Sequence, residues 1–341
     1  MRRLFGRSHF FSAALGLLLA FSSSAALAQY KATYLTSNLA GKAKYQDSLL
    51  GNPWGLAYSP DNPFWVSDEA TGWSTLYTGT GQPQSLQVIV PTAKGTGFGT
   101  PTGIVYDPST TDFKIDDWPS VFLFATLDGS IQGWSDFNPS ATLVGATSTG
   151  ASYTGLAITN KTSGNFLFAA DTANNKIDIY NSTFELTGSF TDPAIPAGFA
   201  PFGIQDINGE VYVSYAATSG GAGGYIDIFS ETGTLMKHFA HGSPLNQPWG
   251  FAVAPANFGT FSNALLISNN ATVGTIAAYN ITTGKLLGTM QNAAGKSISI
   301  NGIWGIEFGG GSANNGEKNQ LFFTAGPNDL NGYFGVITAS K

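Results

Sequence analysis

A short apolar run with a glycine near its start recurs six times along this chain. The copies are PWGLAY from Pro53, PTGIVY from Pro101, YTGLAI from Tyr153, PFGIQD from Pro201, PWGFAV from Pro248 and IWGIEF from Ile303. The residues before the glycines are Trp54, Thr102, Thr154, Phe202, Trp249 and Trp304, so the spacings are 48, 52, 48, 47 and 55. Each copy continues into a second run (FWVSD, VFLFAT, NFLFAAD, EVYVSY, ALLISN, QLFFTA) and a third (STLYTG, SIQGWSD, KIDIYNS, YIDIFSE, TIAAYNI, YFGVIT). The first five add a fourth: SLQVIV, ATLVGA, LTGSFTD, TLMKHFA and KLLGTM. These runs are rich in β-branched and aromatic residues and are bounded by turn formers, which reads as strands. A period near 50 residues marks stacked supersecondary units, a propeller blade or a solenoid turn, rather than unrelated domains.

The sixth unit has three strands, and an unassigned run, YKATYLTS from Tyr30 to Ser37, precedes the first unit. Supplying that run to the sixth unit closes a ring and hides both sheet edges, which a solenoid does not need. The expected fold is therefore all-β, a six-bladed β-propeller closed by an N-terminal strand. The repeated glycines suit innermost strands crowded round an axis, by close backbone approach and by positive φ. Trp54, Trp249, Trp304 and Phe202 read as packing wedges between blades, or alternatively as the floor of a ligand site.

Arg2, Arg3 and Arg7, followed by apolar Phe10 to Phe21 and then Ala26-Leu27-Ala28, read as a signal peptide over residues 1–28, leaving one propeller domain over 29–341. The apolar run is too short to span a bilayer. Export into the bacterial periplasm or medium is expected, and a monomer. Those three are the only arginines, so the remainder carries 12 Lys against 21 Asp and Glu, a balance of −9. Such a chain is poorly suited to nucleic acid or to anionic membrane surfaces. With no Cys there are no disulfides or thiolate sites. Stability must come from a large core.

The P-x-G starts, the second strands ending in Ser-Asp or Ser-Asn, and third strands of the KIDIY type resemble NHL-type propeller repeats. Segments NPWGLAYSPDNPFWVSD (Asn52–Asp68), SIQGW (Ser130–Trp134), KIDIY (Lys176–Tyr180), DPAIPAGFAPFGIQ (Asp192–Gln205), LNQPWGFAVAPANFG (Leu245–Gly259) and NGIWGIEFG (Asn301–Gly309) are similar to a family of exported bacterial NHL-like propellers of uncharacterised function. That resemblance implies the fold and no activity. A weaker likeness, at the level of fold, is to the six-bladed gluconolactonase and regucalcin group, which implies a cation held by carboxylates and amides at the axis.

Loops entering the innermost strands share a face with loops between second and third strands. That face gathers carboxylates and amides, hard-oxygen donors suited to Ca²⁺ at the central channel: Asp68, Glu69, Asp171, Asn269 and Asn270 are the candidate ligands. Their alternative role is to cap their own turns. Trp54, Trp73, Tyr215, Trp249 and Trp304 are the candidate ligand-binding aromatics. His238 and His241 read as solvated outer-strand residues, and the long DPSTTDFKIDDW loop from Asp107 to Trp118 as a solvated acidic loop. No G-x-S-x-G elbow, P-loop or dinucleotide fingerprint occurs. Two functions follow. One is an exported binding module for a glycan or a protein. The other is a divalent-cation-dependent hydrolase or lactonase, with Asp68, Glu69 or Asp171 as base.

Overall fold

A computed structural model describes residues 29–159 and 164–340. The leader-like segment and its Ala26-Leu27-Ala28 site lie outside the described residues. Six antiparallel sheets of four strands, one extended by a short fifth, carry the chain. Among the described residues the helices are two single 3₁₀ turns, Gly259–Phe261 and Pro327–Asp329. No helix there is long and apolar enough to cross a membrane. The six recurring runs are the innermost strands: Pro53–Ala57, Pro101–Tyr106, Tyr153–Ile158, Phe199–Ile207, Pro248–Val253 and Ile303–Phe308. Each touches the next, and the sixth touches the first, so the blades close into a six-bladed propeller.

Closure follows the expected route. Tyr30–Ser37 pairs antiparallel with Tyr333–Ala339 and forms the outer strand of blade six. Its first residue also reaches blade five. The buried Tyr30 hydroxyl donates to the Phe258 carbonyl at 2.8 Å and accepts from the Phe261 amide at 2.9 Å. The core lies in the seams between blades, where second- and third-strand side chains such as Phe168, Val213 and Phe229 interdigitate.

The repeat residues have physical reasons. A Cβ on Gly55 would lie 2.7 Å from the Thr102 carbonyl oxygen, and one on Gly250 2.7 Å from that of Trp304. Close approach of the neighbouring blade therefore explains these glycines. Positive φ does not, because none of the six has it. The second-strand hydroxyls fasten blade to blade. Ser214 donates to the Pro248 carbonyl (2.7 Å), Ser268 to Trp304 (2.6 Å) and Thr324 to Trp54 (2.5 Å), the last across the ring closure. Thr102 and Thr154 do the same from the inner strands of blades two and three, bonding the Tyr153 and Phe202 carbonyls.

The loop from Asp107 to Trp118 is not a free acidic loop. Phe113 is fully buried against Phe184, and Asp107 and Asp112 accept from Asn165 at 3.1 and 2.8 Å. The loop clasps blade two to blade three. Burial, the largest cause, pushes Asp107 up to about 6.

Candidate ligand site at the propeller axis

Two ring positions of the repeat face the axis. The first is the residue before the glycine. Trp54, Phe202, Trp249 and Trp304, from blades one, four, five and six, meet one another there. Trp54 and Trp304 stack with centroids 3.7 Å apart, and Trp249 stands edge-on to both, at 6.1 and 5.7 Å. These side chains pack across the axis rather than wedging between blades. Two indoles are oriented by hydrogen bonds, Trp249 to the Thr154 carbonyl (2.9 Å) and Trp304 to the Asn52 Oδ1 (3.1 Å). Asn52 is held in turn by Glu69, whose Oε2 accepts from its Nδ2 at 2.8 Å. The aromatic cluster plugs one end of the channel.

The second position lies two residues after the glycine and holds Ala57, Val105, Ala157, Gln205, Ala252 and Glu307. Small side chains at three of these, Ala57, Val105 and Ala157, line a cavity of about 410 Å³ together with Gln205 and Glu307, while Ala252 packs in the core between blades five and six. Its lining includes Trp249, Gln205, Asp206, Glu307, Tyr58 and Tyr106. Trp249 comes from the plug, and Tyr58, Tyr106 and Asp206 from the far ends of the inner strands, so the cavity opens on the face opposite the plug. Glu307 is half-buried and lines the cavity. Burial alone pushes its carboxyl up to about 8, and no cationic group counters that shift. At neutral pH it is mainly a neutral carboxylic acid, able both to donate and to accept.

The three nominated carboxylate ligands, Asp68, Glu69 and Asp171, do not form a group within ligating reach of one another. Asp68 is fully buried in blade one and accepts from Thr75 Oγ1 at 2.7 Å. Burial, helped by the Asp47 charge, holds it well above the usual carboxylate range. Glu69 braces the plug as described. Asp171 accepts from the Ser152 amide (3.1 Å) and Asn174 Nδ2 (2.7 Å) in blade three. Asn269 accepts from the Asn246 amide (2.9 Å) and Asn270 donates to the Ile303 carbonyl (3.2 Å), both in blade five. Each has a protein partner of its own. Among the described residues, the carboxylates and histidines within mutual ligating reach are Asp192, Asp227 and His238, off the axis on blade four.

Of the nominated aromatics, Trp54, Trp249 and Trp304 meet at the axis, and Trp249 also lines the cavity. Trp73 packs at 5.7 Å from Phe98 on the outer part of blade one, and Tyr215 is buried inside blade four. Sequence reasoning missed Gln205, Asp206 and Glu307. A signal existed: aligning the six repeats shows one position that is Ala or Val four times and Gln or Glu twice.

No family model matches the chain. An uncharacterized protein of Acanthamoeba polyphaga mimivirus is 29% identical over 331 residues, covering 89% of this chain and 79% of the relative. Among solved structures, a gluconolactonase from Xanthomonas campestris superposes with a TM-score of 0.57 at 14% identity, over 92% of this chain and 90% of that one. A soluble aldose sugar dehydrogenase from Escherichia coli superposes with a TM-score of 0.58 at 13% identity, over 92% and 100%. At such identities the likeness is one of fold.

Proposed function

We propose that this is an exported binding propeller that captures a small, uncharged, hydroxylated molecule of the glycan class in the open end of its channel. The observation that carries the reading is the composition of the second axial ring. Three small apolar residues, Ala57, Val105 and Ala157, make room, and two hydrogen-bonding ones, Gln205 and Glu307, line the same cavity. An apolar cavity with a few convergent polar groups is the usual form of a small-molecule site, and this volume lies within the usual range.

The lining contains no Lys, Arg or His, which argues against an anionic ligand. A neutral carboxylic acid beside a carboxamide suits hydroxyl groups that both donate and accept. Trp249 supplies an aromatic face at the floor. A gluconolactonase and an aldose sugar dehydrogenase share the fold, which supports a sugar ligand by analogy of fold only. Export rests on the leader-like N-terminus.

Titrating neutral monosaccharides, disaccharides and sugar lactones into the protein, with tryptophan fluorescence as readout, tests this. A saturable signal that weakens about tenfold or more in Glu307→Ala and in Gln205→Ala is expected, as for buried hydrogen bonds lost from a site. Binding of the neutral form also predicts affinity that falls as pH rises through about 8, where Glu307 ionises. Affinity that instead rises there would mean a cationic ligand. Either that result, or sugar binding untouched by both substitutions, would overturn the proposal.

A further inference from the structure

Asp192, Asp227 and His238 form a second site on blade four, independent of the channel. Asp192 lies in the turn that enters the blade, Asp227 in its third strand and His238 in its outer strand. Asp227 and His238 are directly opposed in register. The two carboxylates are buried, whereas the His238 side chain is 57% exposed. One ligating atom from each lies within 4.8 Å of the others. His238 Nδ1 is 3.0 Å from Asp227 Oδ1 and 3.4 Å from Asp192 Oδ2. These separations are close to the edge of a tetrahedron whose centre lies about 2.1 Å from each ligand.

A histidine–aspartate contact by itself leaves too much unsatisfied. Asp192 Oδ1 is used by the Ala194 amide at 2.9 Å, but Asp192 Oδ2 and Asp227 Oδ2 have no hydrogen-bond donor. Both residues are more than nine-tenths buried, at 3% and 1% exposure. The hydroxyl of Tyr215, wholly buried, also lacks a partner. It stands close enough to both carboxylates that their charges, after burial, push its ionisation up. Several buried polar atoms thus converge beside the His238 imidazole.

Blade three shows what the chain does when it fills this position itself. Asp178 of KIDIY is the repeat equivalent of Asp227 of YIDIF. Lys176 neutralises Asp178 at 2.7 Å, and the Tyr153 hydroxyl donates to it at 2.8 Å. In blade four Tyr225 stands where Lys176 does, and a second carboxylate, Asp192, is added. The lysine is removed and the negative charge doubled.

We propose that Asp192, Asp227 and His238 bind one divalent first-row transition ion, such as Zn²⁺ or Mn²⁺. The imidazole donor and the small number of oxygens select against Ca²⁺ and Mg²⁺. The remaining coordination position faces solvent beside the exposed imidazole and takes water. The ion ties the turn between blades three and four to the outer edge of blade four, a clamp rather than a catalytic centre.

The full chain, stripped with EDTA and desalted, would be titrated with Co²⁺ as a spectroscopic probe and back-titrated with Zn²⁺. The expected result is one equivalent of Co²⁺ with the visible absorption of a four-coordinate site, displaced by Zn²⁺, and a raised melting temperature. His238→Ala alters an exposed side chain and should leave the fold intact by circular dichroism while weakening uptake about tenfold or more. Asp227→Asn should do likewise, and Asp178→Asn in blade three should leave uptake unchanged. Absence of stoichiometric uptake, or uptake that survives His238→Ala, would overturn the proposal and leave an imidazolium–carboxylate pair.

Discussion

The two ends of the central channel are built from the same six strands, yet one is sealed and the other open. At the sealed end four of six equivalent positions carry Trp or Phe, and their rings fill the axis. At the open end three of six carry an Ala or Val that lines a cavity of about 410 Å³. The backbone spacing around the ring does not account for the contrast. Side-chain volume at two positions, three residues apart, decides which end holds the ring together and which can receive a ligand. The sealed end supplies packing and the open end supplies vacancy, so substitutions at the two should separate stability from binding.

The largest effect is expected at the plug. Trp304→Ala removes a ring stacked at 3.7 Å on Trp54 and leaves the Asn52 Oδ1 without its indole donor. Large-to-small substitutions of buried aromatics cost about 3–5 kcal/mol, the more so where the site cannot collapse. Here collapse is opposed by six strands already held apart by their own backbone contacts. Equilibrium denaturation should show a loss of that size. A loss below about 1 kcal/mol, within the range of ordinary surface substitutions, would mean that the plug is not a structural element and that the two ends do not differ as argued.

The fold was legible in the sequence because its causes are local and repeated. Gly at each blade entry, together with an unassigned strand before the first unit and a missing one in the last, reports directly on backbone crowding and ring closure. The direction of the axial side chains was not legible. Strict alternation along a strand sends residues three apart to opposite faces. Each innermost strand, however, breaks register with the second strand of its blade, as between Pro53 and Leu56, Pro248 and Phe251, and Ile303 and Ile306. A bulge of this kind re-aims the side chains that follow. It turns both Trp304 and Glu307 to the axis, so the aromatics read as wedges and Glu307 passes as one more strand residue. The nominated ligands Asp68, Asp171, Asn269 and Asn270 bond nearby backbone and side-chain groups, because Asp and Asn serve such contacts as readily as they bind ions.

A smaller effect on stability, and a large one on binding, is expected from making the open end resemble the sealed one. Ala57→Leu places a branched side chain into the cavity from blade one. Because the group enters existing space, the change in stability should stay within about 1 kcal/mol, short of the cost of overpacking a filled core. Sugar binding at the Glu307 site should be lost. Retained binding with unchanged affinity would place the ligand elsewhere and would break the assignment of the open end as the receiving one.

The smallest effect, and the most specific to the open end, is a slope of stability with pH. Glu307 ionises near its ordinary value of 4.5 in the unfolded chain and at about 8 in the folded one. Between those values the folded state holds a proton that the unfolded state has released. Stability therefore falls as pH rises across this window, with the contribution complete below about 4.5 and lost by about 8. Asp107, raised from 3.8 to about 6 by burial, adds a slope of the same sign over the lower part of the window. The two are separable, since Glu307→Gln keeps the shape of the side chain and removes only the titration. The variant should lose the Glu307 share of the slope across the window, most visibly between about pH 6 and 8, while retaining the Asp107 share below 6, and should be relatively more stable than the parent at pH 8. Trp304→Ala, at the other end of the same channel, should lower the whole curve and leave its slope unchanged. Identical slopes in Glu307→Gln and the parent would mean that the carboxyl is solvated as freely as one at the surface, and the open end would then offer a ligand a charged wall instead of a neutral one.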